Sequence, residues 1–340
     1  MTGTTFYLSI LAYTDETARP LESQTAQEQR MFDDINAQLA ALGKQGAIAT
    51  GWQVVWGPAL GDGRANMMFV AANASAGQYA VVIRGTDVRQ FMDIFEDLKT
   101  REQVSYPYLS GANIANGTND ALGVLQGMQG VTGGDFTSSK TSSLEDYLGT
   151  IPSTATVFVT GHSLGGALST VVAPWIATFF SPENIQVYTY AAPTAGDANF
   201  ASAFNTMFAA SDATPRTYRY FNTIDVVPNA WATLSAIVSL YPQPGPAAGP
   251  GVKHVISCAL KNLPTYVQVG VDGTASVISL PGTPISIIHP PAGASDTKVP
   301  IDDPSFESEA LIQHSGPTYQ NLLGLTGVSF ATLKFTARSA

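Results

Sequence analysis

The chain reads as α/β, with a mainly parallel sheet covered by helices on both faces. Three observations predict this. Short apolar runs alternate with segments of helical period between about residues 52 and 222. Those runs are apolar throughout rather than at every second position. Hydrophobic residues make up 45% of the 340-residue chain, which is ample for a sizeable core. Alternation of strand and helix favours parallel pairing through crossovers, and strands without a polar side require cover on both faces.

In chain order, residues Glu16 to Leu42 are polar with periodic Leu, Met, Phe and Ile and stop at Gly43, predicting one or two helices. Strand-like runs follow at WQVVW near Val54, NMMFVAA from Asn66 and QYAVVIRGTD from Gln78. VRQFMDIFEDLKT then switches to a helical period, with Phe91, Ile94, Phe95 and Leu98 on one side. Residues Ser110 to Gly134 combine a loop with an amphipathic helix. TATVFVT is a short apolar strand. Beyond it Leu164, Ala167, Leu168, Val171, Val172 and Trp175 recur at i, i+3, i+4, i+7, i+8 and i+11, the buried stripe of a helix. NIQVYTYAAP, ANFASAFNTMF and RTYRYFN supply a strand, a helix and a strand. YPQPGPAAGPGV from Tyr241 is a stiff, extended loop, and TYVQVGVDGTASVISLPGTPISII alternates like a hairpin around Asp272-Gly273. No repeat of domain-building period is visible. The organisation expected is one domain over 1–340, with a helical N-terminal segment at about 15–43 and an inserted Pro/Gly-rich and hairpin region at about 235–300.

Charge narrows the partners. Lys plus Arg total 16 against 26 for Asp plus Glu, a net charge of -10, which disfavours nucleic acid and anionic membranes. Cys258 is the only cysteine, so no intrachain disulfide or thiolate cluster forms, and it reads as a small buried hydrophobe. Between Tyr147 and Asn184 the only formally charged residue is Glu183. Gly161, Gly165, Gly166 and Pro174 punctuate that stretch, so a buried strand, a tight turn and a buried helix fit it better than a membrane span. The N-terminal MTGTTFYLSILAYTDETARP has a short apolar run with no basic region ahead of it and does not read as a secretory signal. The default compartment is the cytoplasm, with a signal-independent export route as the alternative.

The segment TVFVTGHSLGGAL carries the chemistry. Gly161-His162-Ser163-Leu164-Gly165 follows a strand and opens a helix. A serine at the apex of such a bend sits in strained backbone, and glycines two before and two after it remove collisions with the adjoining strand and helix. The helix start then offers its backbone N–H groups beside an exposed Ser163 hydroxyl.

At this point the chain resembles the class 3 (fungal-type) lipases of the α/β-hydrolase superfamily. VTGHSLGGALS resembles that family's serine motif nearly residue for residue, and VVIRGTD resembles its F-R-G-[ST] oxyanion strand. YTYAAPTAGDANFASAFN resembles its Y-T-[FY]-G-x-P-R-x-G-[ND]-x-x-F block, and TYRYFNTIDVVPNAW its R-x-x-N-x-x-D-x-V-P block. The four occur in the family's order over about residues 55 to 230. The resemblance implies an α/β-hydrolase fold and ester hydrolysis. Where the family often has H-x-G-F, this chain reads Ala115-Asn116-Gly117-Thr118, which puts packing or lid anchoring in question rather than chemistry. The last third matches weakly.

A serine hydroxyl needs a base within hydrogen-bond reach. Of the four histidines, His162 lies inside the elbow with its ring away from the nucleophile's side, in a packing role. His289 precedes Pro290-Pro291, and His254 follows the Pro-Gly segment. His314 precedes SGPTYQNLL, resembling the family's C-terminal H-x-x-x-x-Y pattern through Tyr319, and keeps the chain order Ser, Asp, His. It is the expected base. Asp225, between a strand and Pro228, is the expected orienting acid. Asp197 competes but reads as a helix cap, while Asp302 and Asp303 read as a solvated face. The backbone N–H of Leu164 and Thr86, which ends the VVIRGT strand, are the expected oxyanion donors. Residues 87–99 fall where the resemblance places a lid, and a permanently packed core helix is the alternative.

No His/Asp/Glu cluster has ligand spacing, so no metal or organic cofactor is implied, and nothing further supports Ca²⁺ at IDDPSFESE. The implied partner is an acyl ester, met at a lipid–water interface, without stable membrane insertion. Acylglycerols are the favoured substrates. Feruloyl esterases and phospholipases A1 of the same family remain alternatives, as does a catalytically silent binding protein.

Overall fold

Side chains along a strand alternate between its two faces, and here each face of one sheet has its own core. The computed structural model describes residues 1–14, 17–85, 98–138, 140–210, 214–241, 245–270, 276–283, 304–325 and 327–328. Its strands are β1 (Gln53–Leu60), β2 (Met67–Asn73), β3 (Gln78–Ile83), β4 (Gln103–Ser105), β5 (Asn113–Ala115), β6 (Gly130–Val131), β7 (Thr141–Ser142), β8 (Thr156–His162), β9 (Ile185–Tyr190), β10 (Thr217–Asn222) and β11 (Ser276–Leu280). Among the described residues, seven of them form a sheet in the order β1-β2-β3-β8-β9-β10-β11. β1, β2 and β3 are antiparallel neighbours. From β3 to β11 every pairing is parallel.

The helices are α1 (Thr2–Leu11), α2 (Gln24–Lys44), α3 (Asn116–Gly127), α4 (Leu144–Leu148), α5 (Leu164–Ile176), α6 (Ala198–Met207), α7 (Pro250–Leu260), α8 (Pro304–His314) and α9 (Gly316–Leu322). Val157 and Val159 of β8 join Ile185 and Val187 of β9 on one face, against Leu168, Val171 and Val172 of α5. Phe158, Tyr188 and Tyr190 point the other way, to Phe6, Leu8 and Ile10 of α1 and Met31, Ile35 and Leu39 of α2. The expected cover on both faces is therefore present, and the architecture is an α/β-hydrolase fold. The stretch that raised the question of a membrane span divides into β8 and α5. No helix among the described residues is long and apolar enough to cross a membrane.

Three elements differ from expectation. α1 fills the N-terminal apolar run, and every residue from Thr4 to Leu11 is buried. Its hydroxyls are satisfied internally, Thr5 Oγ1 against Tyr190 Oη at 2.8 Å and Ser9 Oγ against the Phe6 carbonyl at 2.7 Å. α2 begins at a Ser23 cap that accepts the Ala26 N–H, but runs past Gly43 to Lys44. Gly43 serves close approach instead of termination, since a Cβ there would lie 3.3 Å from Thr50 Cα. The expected hairpin has its turn at Asp272-Gly273, outside the described residues. Its second arm, β11, pairs in parallel with β10, and residues 264–270 form no strand, since their backbone N–H groups go elsewhere, Val267 to the Gly196 carbonyl and Gly270 to Asn205 Oδ1.

A third apolar cluster grows on the chain leaving β10. Ile224, Val226, Val227, Trp231 and Leu234 pack with Val252 and Ile256 of α7 and with Phe306 and Ala310 of α8. This cap fills much of the sequence between Asp225 and His314.

Candidate active site

β8 ends at His162, α5 begins at Leu164, and Ser163 between them has φ 60° and ψ −133°. A side chain rarely adopts this left-handed backbone, and the strain is held by its surroundings. The Ser163 N–H donates to the Tyr190 carbonyl at 2.9 Å, and the Ser163 carbonyl accepts from Gly166 N–H at 2.9 Å. The flanking glycines allow contact that a methyl group would forbid. A Cβ on Gly161 would lie 2.3 Å from the Gly165 carbonyl, and one on Gly165 would lie 2.3 Å from the Ile83 carbonyl. The Ser163 side chain makes no capping bond to the helix it starts. Leu164 opens α5, so its N–H belongs to the first turn, where helical N–H groups lack an intrahelical acceptor. The sequence reading expects an exposed serine, whereas Ser163 is only 4% exposed. The bend is wedged between the ends of β3 and β9, which leaves its apex inside the protein.

His314 is the last residue of α8, and Asp225 sits in the turn after β10. Separated by 89 positions in sequence, they meet: His314 Nδ1 lies 2.8 Å from Asp225 Oδ2. Against a carboxylate acceptor Nδ1 carries the proton, which leaves Nε2 as the basic nitrogen of the neutral ring. The carboxylate is fully buried and held by two further donors. Tyr319 Oη–H donates to Oδ2 at 2.8 Å, and Val227 N–H donates to Oδ1 at 2.9 Å. Burial and the neighbouring Asp225 charge push the Tyr319 phenol well above its ordinary pKa, so it remains a donor. Its oxygen also accepts Asn222 N–H at 2.9 Å. Asn222 in turn donates from Nδ2 to the Gln313 carbonyl and side-chain oxygen, fixing the end of α8 beside the sheet.

The link to the elbow runs through His162. Its ring packs on that of His314 with centroids 4.7 Å apart, and Tyr319 meets it edge-on at 5.6 Å. Burial first, then the neighbouring His314, hold the His162 pKa well below the ordinary imidazole range. His162 therefore stays neutral and packs, as expected, but its packing partner is His314 itself.

Residues 80–234 match the class 3 lipase family model, a span that contains Gly161–Gly165 and Asp225. Over that span the chain is similar to the class 3 lipases. It is a carboxylic ester hydrolase with a lipase-like fold. Among solved structures it is similar to M37 lipase at 23% identity and a TM-score of 0.76, over 98% of this chain and 95% of that one. It also matches a Yarrowia lipolytica LIP2 lipase at 16% identity and TM-score 0.47, over 66% of this chain and 72% of that one. A Rhizomucor miehei lipase propeptide complex matches at 24% and 0.42, over 65% and 70%.

Within this hydrolase the other sequence candidates separate. Asp197 caps α6, accepting Phe200 N–H at 2.8 Å. It also accepts the Asn113 side-chain amide at 2.8 Å, which ties α6 to β5. His254 lies exposed on α7 with Nε2 3.6 Å from Cys258 Sγ. Cys258 is half-exposed there, where the sequence suggested burial. Thr86, residues 87–97 of the lid region, His289, Asp302 and Asp303 lie outside the described residues. Residues 115–118, the departure from the family's H-x-G-F, form the end of β5 and the start of α3. Sequence reasoning missed Tyr319 as a donor to Asp225, although its spacing from His314 marked it. It also missed Tyr13, whose hydroxyl reaches Gly85 and His162 from 72 and 149 residues away, and no local signal announces such a contact.

Proposed function

We propose that this enzyme hydrolyses acylglycerol esters in two steps, with Ser163 as nucleophile, His314 as general base and Asp225 as the orienting acid. The observation that carries the reading is the buried 2.8 Å Asp225–His314 pair packed against the residue that precedes Ser163. Ser163 Oγ attacks the ester carbonyl carbon while its proton passes to His314 Nε2. Asp225 keeps Nδ1–H engaged and balances the imidazolium that forms. The developing oxyanion takes hydrogen bonds from the backbone N–H of Leu164 and Thr86, a contribution of roughly 3 kcal/mol per donor. The imidazolium gives its proton to the departing alkoxide. Water, deprotonated by the same nitrogen, then cleaves the acyl-enzyme and regenerates Ser163.

Ser163 and His314 are almost sealed from solvent, so a covering segment has to move before an ester arrives. Opening against an apolar surface fits a substrate whose acyl chains lie in a lipid–water interface.

Labelling by a fluorophosphonate probe tests the nucleophile. Wild type is expected to label, and Ser163→Ala to lose the label. Retained labelling removes Ser163 from the role. Rates on p-nitrophenyl esters of increasing chain length, with triolein and methyl ferulate alongside, test the substrate class. A preference for methyl ferulate overturns the acylglycerol reading.

A further inference from the structure

We infer that Tyr13 is a positioning residue that sets the spacing of the oxyanion site from beneath the sheet. The inference rests on the reading of Ser163 as nucleophile and of the Leu164 N–H as an oxyanion donor. It extends the catalytic machinery to the N-terminal segment, which lies outside the family match at residues 80–234.

α1 packs against β3, β8 and β9, and the chain turns at its end so that Tyr13 N–H donates to the Ile10 carbonyl at 3.0 Å. That turn aims the phenol at the place where β3 and β8 part. The parallel ladder between these strands ends at the pair Ile83 and Gly161. Just beyond it, Tyr13 Oη accepts Gly85 N–H at 3.1 Å and donates to the His162 carbonyl at 3.0 Å. The two backbone groups belong to neighbouring strands, so the phenol oxygen stands where a further direct rung would otherwise draw them together. The strand ends are held apart by one oxygen atom, and both polar groups remain satisfied.

The two residues bridged are the ones that matter. Gly85 immediately precedes Thr86, and His162 immediately precedes Ser163. Gly85 has no room for a side chain: a Cβ would lie 2.5 Å from Tyr13 Oη, 2.8 Å from the His162 carbonyl and 2.9 Å from Gly165 N. The Tyr13 ring also meets the His162 ring edge-on, with centroids 6.1 Å apart and planes at 82°. Hydrogen bonds to an oxyanion are effective only when their donors are already in place, and small displacements are costly. Without the hydroxyl, a buried donor and acceptor lose their shared partner and the strand end moves relative to the elbow.

The test is Tyr13→Phe in the full chain, with Tyr7→Phe as a matched control. Tyr7 lies on α1, the helix before that turn, buried, and its hydroxyl accepts Gln320 Nε2–H at 3.1 Å, away from the Gly85 and His162 backbone groups. On a soluble short-chain p-nitrophenyl ester, Tyr13→Phe is expected to lower kcat about ten- to a hundredfold with KM within about twofold of wild type. Fluorophosphonate labelling slows in step, and an alkylboronic acid, whose tetrahedral adduct uses the same donors, binds more weakly. Tyr7→Phe is expected to keep wild-type kcat even where its Tm falls. A Tyr13→Phe kcat within about twofold of wild type, or an equal loss in Tyr7→Phe, overturns the inference. Failure of the underlying reading looks different: wild type turns over no ester, or Ser163→Ala still labels.

Discussion

Three donors converge on the buried carboxylate of Asp225, and two of them, from His314 and Tyr319, share Oδ2. The Tyr319 hydroxyl does two jobs there, since it also takes the Asn222 N–H at the end of β10. Tyr319→Phe keeps the ring against His162 and removes only these bonds. Its expected effect is a fall in kcat of about tenfold with little change in KM, because the acid loses part of its hold on the imidazole's orientation. Stability is expected to drop by about 1–3 kcal/mol as a buried N–H goes unpaired, seen as a lower urea midpoint at unchanged slope. At this scale the sequence was informative where the signal is local. The bend at Ser163 was legible in its flanking glycines, and the loop position of Asp225 in its place between a strand and Pro228. His314 had to be chosen among four histidines, yet the chosen pair meets. The burial of Ser163 and the reach of Tyr13 arise from packing between distant segments, for which residue spacing carries no signature.

At the scale of elements, Glu28 shows how α2 is fastened to the sheet. Its Oε1 accepts Leu60 N–H from β1 and Gln24 Nε2–H from its own helix, both at 3.0 Å. Burial raises its pKa above the ordinary 4.5, and the folded state therefore binds this proton more tightly than the unfolded chain. Ionised Glu28 accordingly subtracts from stability at neutral pH, and that loss is recovered as pH falls through its raised value. Glu28→Gln keeps an acceptor oxygen without the charge. The variant is expected to melt higher than wild type at neutral pH, with the difference in Tm shrinking as pH falls through the raised value toward 4.5 and levelling off below it. A difference that grows on acidification would reverse the assignment. In the main sheet β1, β2, β3, β8, β9 and β10 were legible because apolar runs of Val, Ile, Phe and Tyr suit a sheet buried on both sides, whereas the short strands β4 to β7 carry no such run. α1 was not legible as a helix. It is buried all round, so it has no polar face and hence no period to read. β11 alternates as a hairpin arm would, and that alternation does not reveal which neighbour it joins.

For the whole molecule, 26 acidic residues against 16 basic give the surface a net charge of -10. Approach to an anionic interface is therefore opposed, and the opposition is screened once the Debye length shrinks to about 3 Å near 1 M salt. Hydrolysis of emulsified triolein is expected to run faster on zwitterionic droplets than on droplets doped with anionic lipid at low salt, and the two rates should converge at high salt. Equal rates at low salt would show that the charge is turned away from the contact face. The cap between Asp225 and His314 offers a way to watch that encounter. Cys258 is the only thiol in the chain and it is half-exposed on the cap helix α7. A polarity-sensitive maleimide dye can thus be attached at one defined point without engineering, and its emission would report when that part of the protein meets oil.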